Sequence, residues 1–330
     1  MIANSGPLNP GEIKVAVLTG GIGRERDVSL QSGRCVTDAL EKAGLAVVVA
    51  DVRPDKLDIL RDDTIDVFFP ALHGQWGEDG RLQQIMHDRA LVYAGSGPAA
   101  SRLAFDKMAS KKAFVEAGVA APAAIALDPA TDLGRLETDL ADFADKYVIK
   151  PITQGSSVGV GIASGPRQAA AAARRTLNEF GDCMIERFVP GREVTVGILG
   201  AEPLPIIEIR AKSGFYDYHA KYVDEQTEFL FDTIEDAVVV ANIHSAALDC
   251  FDAIGCRHFA RVDFILSNEE IAYALEVNTI PGFTNHSLLP KAAEKAGMSM
   301  SDLCLRIAKA ALADAGGQSK ANPSIDDNKL

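Results

Sequence analysis

The sequence predicts an α/β protein of several domains, and three observations carry that prediction. Short apolar runs alternate with helical periodicity through residues 1–97, as parallel βαβ units do. The pattern then turns helical, and from Arg192 onward it is rich in strands. A chain of 330 residues is also too long for one small core and suggests roughly two or three domains.

Taken in order, Lys14–Gly20 is an apolar run ending in glycine, as a buried parallel strand would. A helix is expected from Ser29, with apolar positions at Val36, Ala39, Leu40 and Ala43 and a stop at Gly44. Ala46–Val52 and Asp66–Leu72 read as strands, Arg81–Arg89 as a helix and Leu91–Ala94 as a fourth strand. Residues 1–97 should therefore form an open, Rossmann-like α/β domain.

Pro98–Gly118 and Leu133–Lys146 read as helices, Tyr147–Pro151 as a strand bearing Lys150 at its end, and Ala169–Phe180 as an alanine-rich helix. Cys183–Val189 closes this second α+β unit, residues 98–190. The third unit, residues 191–315, opens with strands Val194–Leu199 and Pro203–Ile209 and continues through a long polar stretch, Ala211–Asp236. A helix Ala237–Ile254, a strand pair from Phe259 to Gly282, a helix to Gly297 and an amphipathic helix Ser301–Ala315 complete it. Residues 316–330 are polar and expected to be disordered.

Apolar content of 47% with 24% charged residues is ordinary for a soluble globular chain. A net charge of −13 argues against nucleic acid or an anionic membrane as partner. No apolar run approaches a membrane span, and Met1–Gly11 lacks the features of a signal peptide, which predicts a cytoplasmic protein. The five cysteines are scattered without ligand spacing and read as reduced structural thiols.

In open α/β sheets ligands bind at the carboxyl ends of the strands. Two polar loops fall there, Gly20–Leu30 and His73–Gly80. A dinucleotide site fails on the first, because GxGxxG is absent and Glu25, Arg26 and Asp27 occupy the turn where pyrophosphate would approach. Glu25 is better placed to receive an ammonium group, with an exposed loop carboxylate as the plainer reading. His73 is either a hydrogen-bonded structural histidine or a catalytic one.

The loop Gly155-Ser156-Ser157-Val158-Gly159 offers backbone NH groups and hydroxyls to phosphate oxygens. It is no Walker A loop, and Lys150 precedes it. Either it is a flap over phosphates beside a strand-borne lysine, or it is a plain hairpin tip. The long stretch 211–236 is too aromatic around Phe215–Tyr222 to read as disordered.

The two apolar runs flanking Ser267-Asn-Glu-Glu270 predict a β-hairpin. Alternation puts Arg261, Asp263 and Ile265 on one face of its first strand and Ala274, Glu276 and Asn278 on one face of its second. With the turn centred between Asn268 and Glu269, Arg261 stands opposite Glu276 and Asp263 lies diagonal to it. Two carboxylates and an amide oxygen beside a guanidinium suit a hard cation such as Mg²⁺, which completes its octahedron with substrate phosphates. A solvated hairpin face with a cross-strand ion pair is the alternative.

Together these segments resemble the D-alanine:D-alanine ligase family of the ATP-grasp superfamily. The likeness is carried, in family order, by Glu25-Arg-Asp-Val-Ser-Leu30, His73-Gly74, Gly77-Glu-Asp-Gly80, Ala94-Gly-Ser-Gly97, Asp106-Lys107, Val148-Ile-Lys-Pro151 and Gly155-Ser-Ser-Val-Gly159. It continues through Tyr216-Asp-Tyr218, Ala220-Lys-Tyr222, Arg261-Val-Asp263, Leu275-Glu-Val-Asn278, Pro281-Gly282 and His286-Ser-Leu288. The resemblance implies an ATP-grasp fold behind the open α/β domain. It also implies ligation of two D-alanines through a D-alanyl phosphate, for peptidoglycan synthesis.

By that resemblance Lys107, Lys150, Ser157 and Lys221 bind the ATP phosphates, with Glu186 and Glu193 at the adenine and ribose end. Asp263, Glu276 and Asn278 hold two Mg²⁺ or Mn²⁺ ions, and Arg261 and the Gly282 NH stabilise the oxyanion. Glu25, tied to Ser156 and Tyr222, receives the first D-alanine's ammonium; His73 lies in the substrate site, and Ser287 and Leu288 take the second D-alanine's carboxylate. The stretch 211–236 becomes a water-excluding lid. Relatives that make D-alanyl-D-lactate have phenylalanine at the Tyr222 position, so tyrosine implies the dipeptide product. A homodimer without nucleic-acid or membrane partners is also implied. Departures from the family pattern lie at Gly20–Arg24, Gln75-Trp76, His219 and Glu228–Asp232. Another ATP-grasp carboxylate–amine ligase, or a non-catalytic nucleotide-binding protein, are the alternatives.

Overall fold

The computed structural model describes residues 13–155, 158–211 and 227–318. Ser156, Ser157, Lys221, Tyr222 and His219, most of the expected lid and the tail beyond residue 318 lie outside the described residues.

The first sheet is parallel, with β1 (Lys14–Gly20) between β2 (Ala46–Val52) and β3 (Val67–Pro70). Its central strand is buried after Lys14, as its unbroken apolar run requires. Helix α1 (Arg26–Lys42) begins three residues before the expected Ser29. The reason is that Ser29 is no cap: its hydroxyl turns inward, donating to Ala71 O at 2.6 Å and accepting Gly20 N at 2.9 Å. The expected fourth strand is reduced to one parallel bridge, Tyr93 against Phe68. Helix α2 (Arg81–Asp88) covers the sheet with Leu82 and Met86. Trp76, one of the family departures, packs in that same core beside Leu18, Phe68 and Leu72.

Pro98–Gly118 is two helices, α3 (Pro98–Phe105) and α4 (Lys107–Glu116). Asp106 divides them, because its carboxylate accepts from Met108 N and Ala109 N and so starts a new helix. Lys107 and Lys111 thereby fall one turn apart on α4.

The second sheet is antiparallel, in the order β4-β7-β5-β6. It comprises β4 (Ala124–Leu127), β5 (Lys146–Lys150), β6 (Gly161–Ser164) and β7 (Cys183–Arg187), backed by α5 (Leu136–Ala141) and α6 (Pro166–Phe180). The expected helix to Lys146 stops at Ala141, since Lys146 already pairs with Ser164 in β5.

The third sheet contains β8 (Gly191–Leu199), β9 (Glu202–Pro203), β10 (Ile207–Arg210), β11 (Glu228–Leu230), β12 (Phe259–Ser267) and β13 (Ala272–Asn278). Its order is β11-β10-β8-β12-β13, with β9 paired to β8. Helix α7 (Ala237–Ile254) lies on one face. It is the one described helix long and apolar enough to cross a bilayer by length and composition. Val239, Ile243, Ala247 and Phe251 bury against the sheet while Asn242, Asp249 and Asp252 are exposed, the pattern of an amphipathic helix packed on one face.

Helices α8 (Leu288–Lys295) and α9 (Met300–Gln318) return to the first sheet, where Leu289, Leu303 and Ile307 join Val15, Val17 and Leu40 in one core. The rings of Phe69, Phe259 and Phe283 meet there at centroid distances of 5.4 to 6.3 Å. This aromatic cluster fixes the loop after β13 against the first sheet.

Candidate active site

A cavity of about 370 Å³ opens between the second and third sheets. Val148, Val158, Ile209, Ile265 and Leu275 give it apolar walls that suit a flat ring. Lys107, Lys150, Glu186, Glu193, Asp263 and Glu276 all line it, so six of the residues expected from sequence converge there.

The positive charge in the cavity is tethered. Lys107 Nζ donates to Gln154 O at 2.5 Å and stands 3.6 Å from Glu276 Oε2. Lys150 Nζ lies 2.7 Å from Glu186 Oε2, and Lys111 Nζ lies 2.7 Å from Glu186 Oε1. Burial alone would raise the Glu186 carboxyl, but the two ammonium groups outweigh it and hold it below the usual carboxylate range.

The hairpin forms with a different register from the one expected. Arg261 faces Asn278 and Asp263 faces Glu276. Two local features explain the shift. The turn has three residues, closed by Ser267 N to Ile271 O at 2.9 Å with Glu270 in the left-handed region at φ 61°. A β-bulge then displaces the register between Asp263 and Phe264, and Leu275 and Glu276 both line the cavity. Ala274 is consequently not on the face of Glu276 but packs in the core opposite Phe264.

On β12, Arg261 grips Asp263 bidentately, Nε to Oδ1 at 2.9 Å and Nη2 to Oδ2 at 2.8 Å. Thr195, opposite Asp263 on β8, donates its hydroxyl to Oδ1 at 2.5 Å. Asn278 Oδ1 accepts Ile280 N at 3.2 Å. Asp263, Glu276 and Asn278 offer only oxygen donors beside two lysines, which fits a hard divalent cation shared with phosphate. Among the described residues no group of three His, Cys, Asp or Glu side chains gathers for a metal.

A second cluster of expected residues lies at the carboxyl ends of β1 and β3. The Glu25 carboxylate sits in a notch between Gly74 and Gly155: a Cβ built on Gly74 would fall 1.7 Å from Oε2, and one on Gly155 would fall 3.4 Å from Oε1. Glu78 accepts Gly74 N at 2.6 Å, and burial together with the Glu25 charge raises its carboxyl well above the usual range. The loop after β13 folds back on itself, with Thr284 N donating to Ser287 Oγ at 2.9 Å. A Cβ on Gly282 would meet that hydroxyl at 2.5 Å. Leu288 opens α8 and is buried in the core.

Both ring nitrogens of His73 are engaged. Nδ1 is 3.1 Å from Ile280 O, a pure acceptor, which assigns the proton to Nδ1 and leaves Nε2 to accept Ser32 Oγ at 2.9 Å. Ser32 Oγ in turn accepts Phe283 N at 3.2 Å. Burial, with the Arg261 charge adding, lowers the His73 pKa to about 4. Relative to the ordinary 6.5, its contribution to stability is complete above pH 6.5 and is lost as pH falls toward 4, on the order of 3 kcal/mol. Urea unfolding at pH 7 and pH 4.5 should therefore show a larger acid loss for the wild type than for His73→Gln; equal losses would remove His73 from the account.

Sequence reasoning passed over Lys111, Ser32 and Thr195. The spacing of Lys107 and Lys111 on one helical face was an available signal for the first. For Ser32 and Thr195 no signal exists, because each acts through a partner distant in sequence.

Residues 140–309 match the family model described as D-ala D-ala ligase C-terminus. A D-alanine--D-alanine ligase from Syntrophotalea carbinolica is 40% identical over 294 residues, covering 89% of this chain and 94% of that protein. The chain belongs to the D-alanine--D-alanine ligase family. The family's ligase from Bacillus anthracis, solved complexed with ATP, gives a TM-score of 0.81 at 32% identity and covers 93% of this chain and 99% of that one. The VanG D-Ala:D-Ser ligase from Enterococcus faecalis gives 0.79 at 26% identity, covering 91% and 99%. The fold is thus the ATP-grasp fold of D-alanine--D-alanine ligases, preceded by the parallel sheet.

Proposed function

We propose that the protein joins two D-alanines into D-alanyl-D-alanine with ATP, through a D-alanyl phosphate, in peptidoglycan synthesis. The observation that carries this reading is the meeting of Lys107 and Lys150 with Asp263 and Glu276 in one cavity that also has apolar walls. It would accept a nucleotide with its phosphates toward the hairpin.

In this reading Lys107 and Lys150 bind the phosphates, while Glu193 and Glu186 contact the nucleoside. Asp263, Glu276 and Asn278 would hold Mg²⁺, which neutralises phosphate charge when bound. Glu25 receives the ammonium of the first D-alanine, whose carboxylate oxygen takes the γ-phosphoryl group. The amine of the second D-alanine, held by its carboxylate near Ser287 and Leu288, attacks the acyl carbon. Arg261 and the Gly282 NH stabilise the oxyanion until phosphate leaves. Ser156, Ser157, Lys221 and Tyr222 belong to this reading by family resemblance alone, as does the lid role of the stretch 211–236, most of which lies outside the described residues.

The reading includes domain divisions near residues 97 and 190, a further one at the 315/316 tail, and a cytoplasmic homodimer. The likeness to a D-Ala:D-Ser ligase favours a second reading, in which another D-amino acid is the nucleophile. Phosphate release from ATP separates them. Stimulation by D-alanine alone is expected, with D-serine, D-lactate and L-alanine far weaker as partners. No stimulation by D-alanine would overturn the first reading.

A further inference from the structure

The residue that attracts notice outside the assigned set is Lys111. It is 5% exposed, its partner Glu186 is 2% exposed and Lys150 is 7% exposed, so three charges are packed away from water together. A buried ion group of this kind is costly unless every member is matched. Here each carboxylate oxygen has its own ammonium at ion-pair distance, although Glu186 Oε1 accepts no hydrogen bond of good geometry. Lys111 Nζ meets Glu186 Oε1 at 2.7 Å and donates to Pro122 O at 3.0 Å, whereas Lys150 Nζ meets the other oxygen, Oε2, at 2.7 Å.

The two lysines differ in access. Lys150 and Glu186 line the cavity, but Lys111 is not among its lining residues and stands behind Glu186. Glu186 belongs to β7, between β4 and β5, paired with Ala124 on one side and Val148 on the other, so its side chain is delivered by the centre of a sheet. Lys111 comes from α4, whose first residue, Lys107, reaches toward Glu276 of the third sheet. One helix with lysines four residues apart thus contacts a carboxylate in each sheet that walls the cavity.

We propose that Lys111 is a positioning residue for nucleotide binding, acting through Glu186. When a phosphate draws Lys150 away, Lys111 remains as the counter-ion, keeping Glu186 ionised and one of its oxygens fixed. The other oxygen then faces the cavity as an acceptor. Without Lys111, Glu186 has only Lys150, and releasing that lysine to a phosphate would leave a bare buried carboxylate. The inference rests on the ATP-dependent reading given above.

The test is a double-mutant cycle on ATP binding by calorimetry, with D-alanine KM measured alongside. Lys111→Met is expected to weaken ATP binding about tenfold or more, with the D-alanine KM changed less than about twofold. Lys111→Arg, which keeps the charge, should recover most of the affinity. Because the effect passes through Glu186, Lys111→Met/Glu186→Gln should bind ATP no more weakly than Glu186→Gln alone, and Lys111→Gln, which keeps a polar group at the end of the side chain, replaces Lys111→Met in the cycle if the Met variant fails to fold. Wild-type affinity in Lys111→Met, additive losses in the double variant, or equal losses for ATP and D-alanine would each overturn the proposal. Failure of the wild-type protein to bind ATP would instead overturn the ligase reading itself.

Discussion

Asp263→Asn is expected to lower kcat about a thousandfold, more than any other single change in the cavity. The side chain keeps its size, so the loss is one of charge. In the native arrangement Asp263 balances Arg261 through two hydrogen bonds and accepts Thr195. The amide retains one acceptor and loses the negative charge that both a cation and the guanidinium require. Arg261 is 8% exposed, so the substitution also leaves a buried cation poorly matched. Removing a partner from a buried pair costs about 3–5 kcal/mol, of which the remaining acceptor should restore part. Steady-state phosphate release and thermal melting together read the two effects. A kcat within about tenfold of wild type would contradict the role given to Asp263.

Gly74→Ala is expected to raise the KM for D-alanine about ten- to a hundredfold with little loss of fold. The added Cβ would lie 1.7 Å from Glu25 Oε2, and the atom it meets is the far end of a flexible side chain. Glu25 would have to swing aside at the cost of its present contacts, and the left-handed backbone at φ 69° adds about 1–2 kcal/mol for a non-glycine residue. The functional cost is larger, because a displaced carboxylate no longer meets an ammonium, and a charge-assisted hydrogen bond contributes about 1.5–3 kcal/mol. Initial rates at varied D-alanine, with a urea melt of the same protein, separate these outcomes. An unchanged KM would remove Glu25 from the first D-alanine's site.

Strands with long apolar runs were legible in the sequence: β1, buried on both faces after Lys14, and β2, a partly exposed edge strand, both have the bounds that their valine-rich runs predict. Short edge strands were not. β4 and β11 have four and three residues and owe their state to the neighbour they pair with. The hairpin shows the limit most clearly. Alternation correctly put Arg261 and Asp263 side by side, but the register depended on a three-residue turn and on a bulge that lets Ala274 enter the core against Phe264. That demand comes from α7 and β8, far away in sequence. Lys111 was hidden for a similar reason, since its meaning appears only when β7 brings Glu186 against α4.

The central claim is that nucleotide phosphates and divalent cations meet at Asp263, Glu276 and Asn278. A crystal structure with Mg²⁺ and a non-hydrolysable ATP analogue tests it most directly. The account predicts the triphosphate within hydrogen-bonding reach of Lys107 and Lys150, and ions at about 2.0–2.1 Å from oxygens of the three hairpin residues. A triphosphate bound outside the cavity between the second and third sheets, or ions remote from the hairpin, would contradict it.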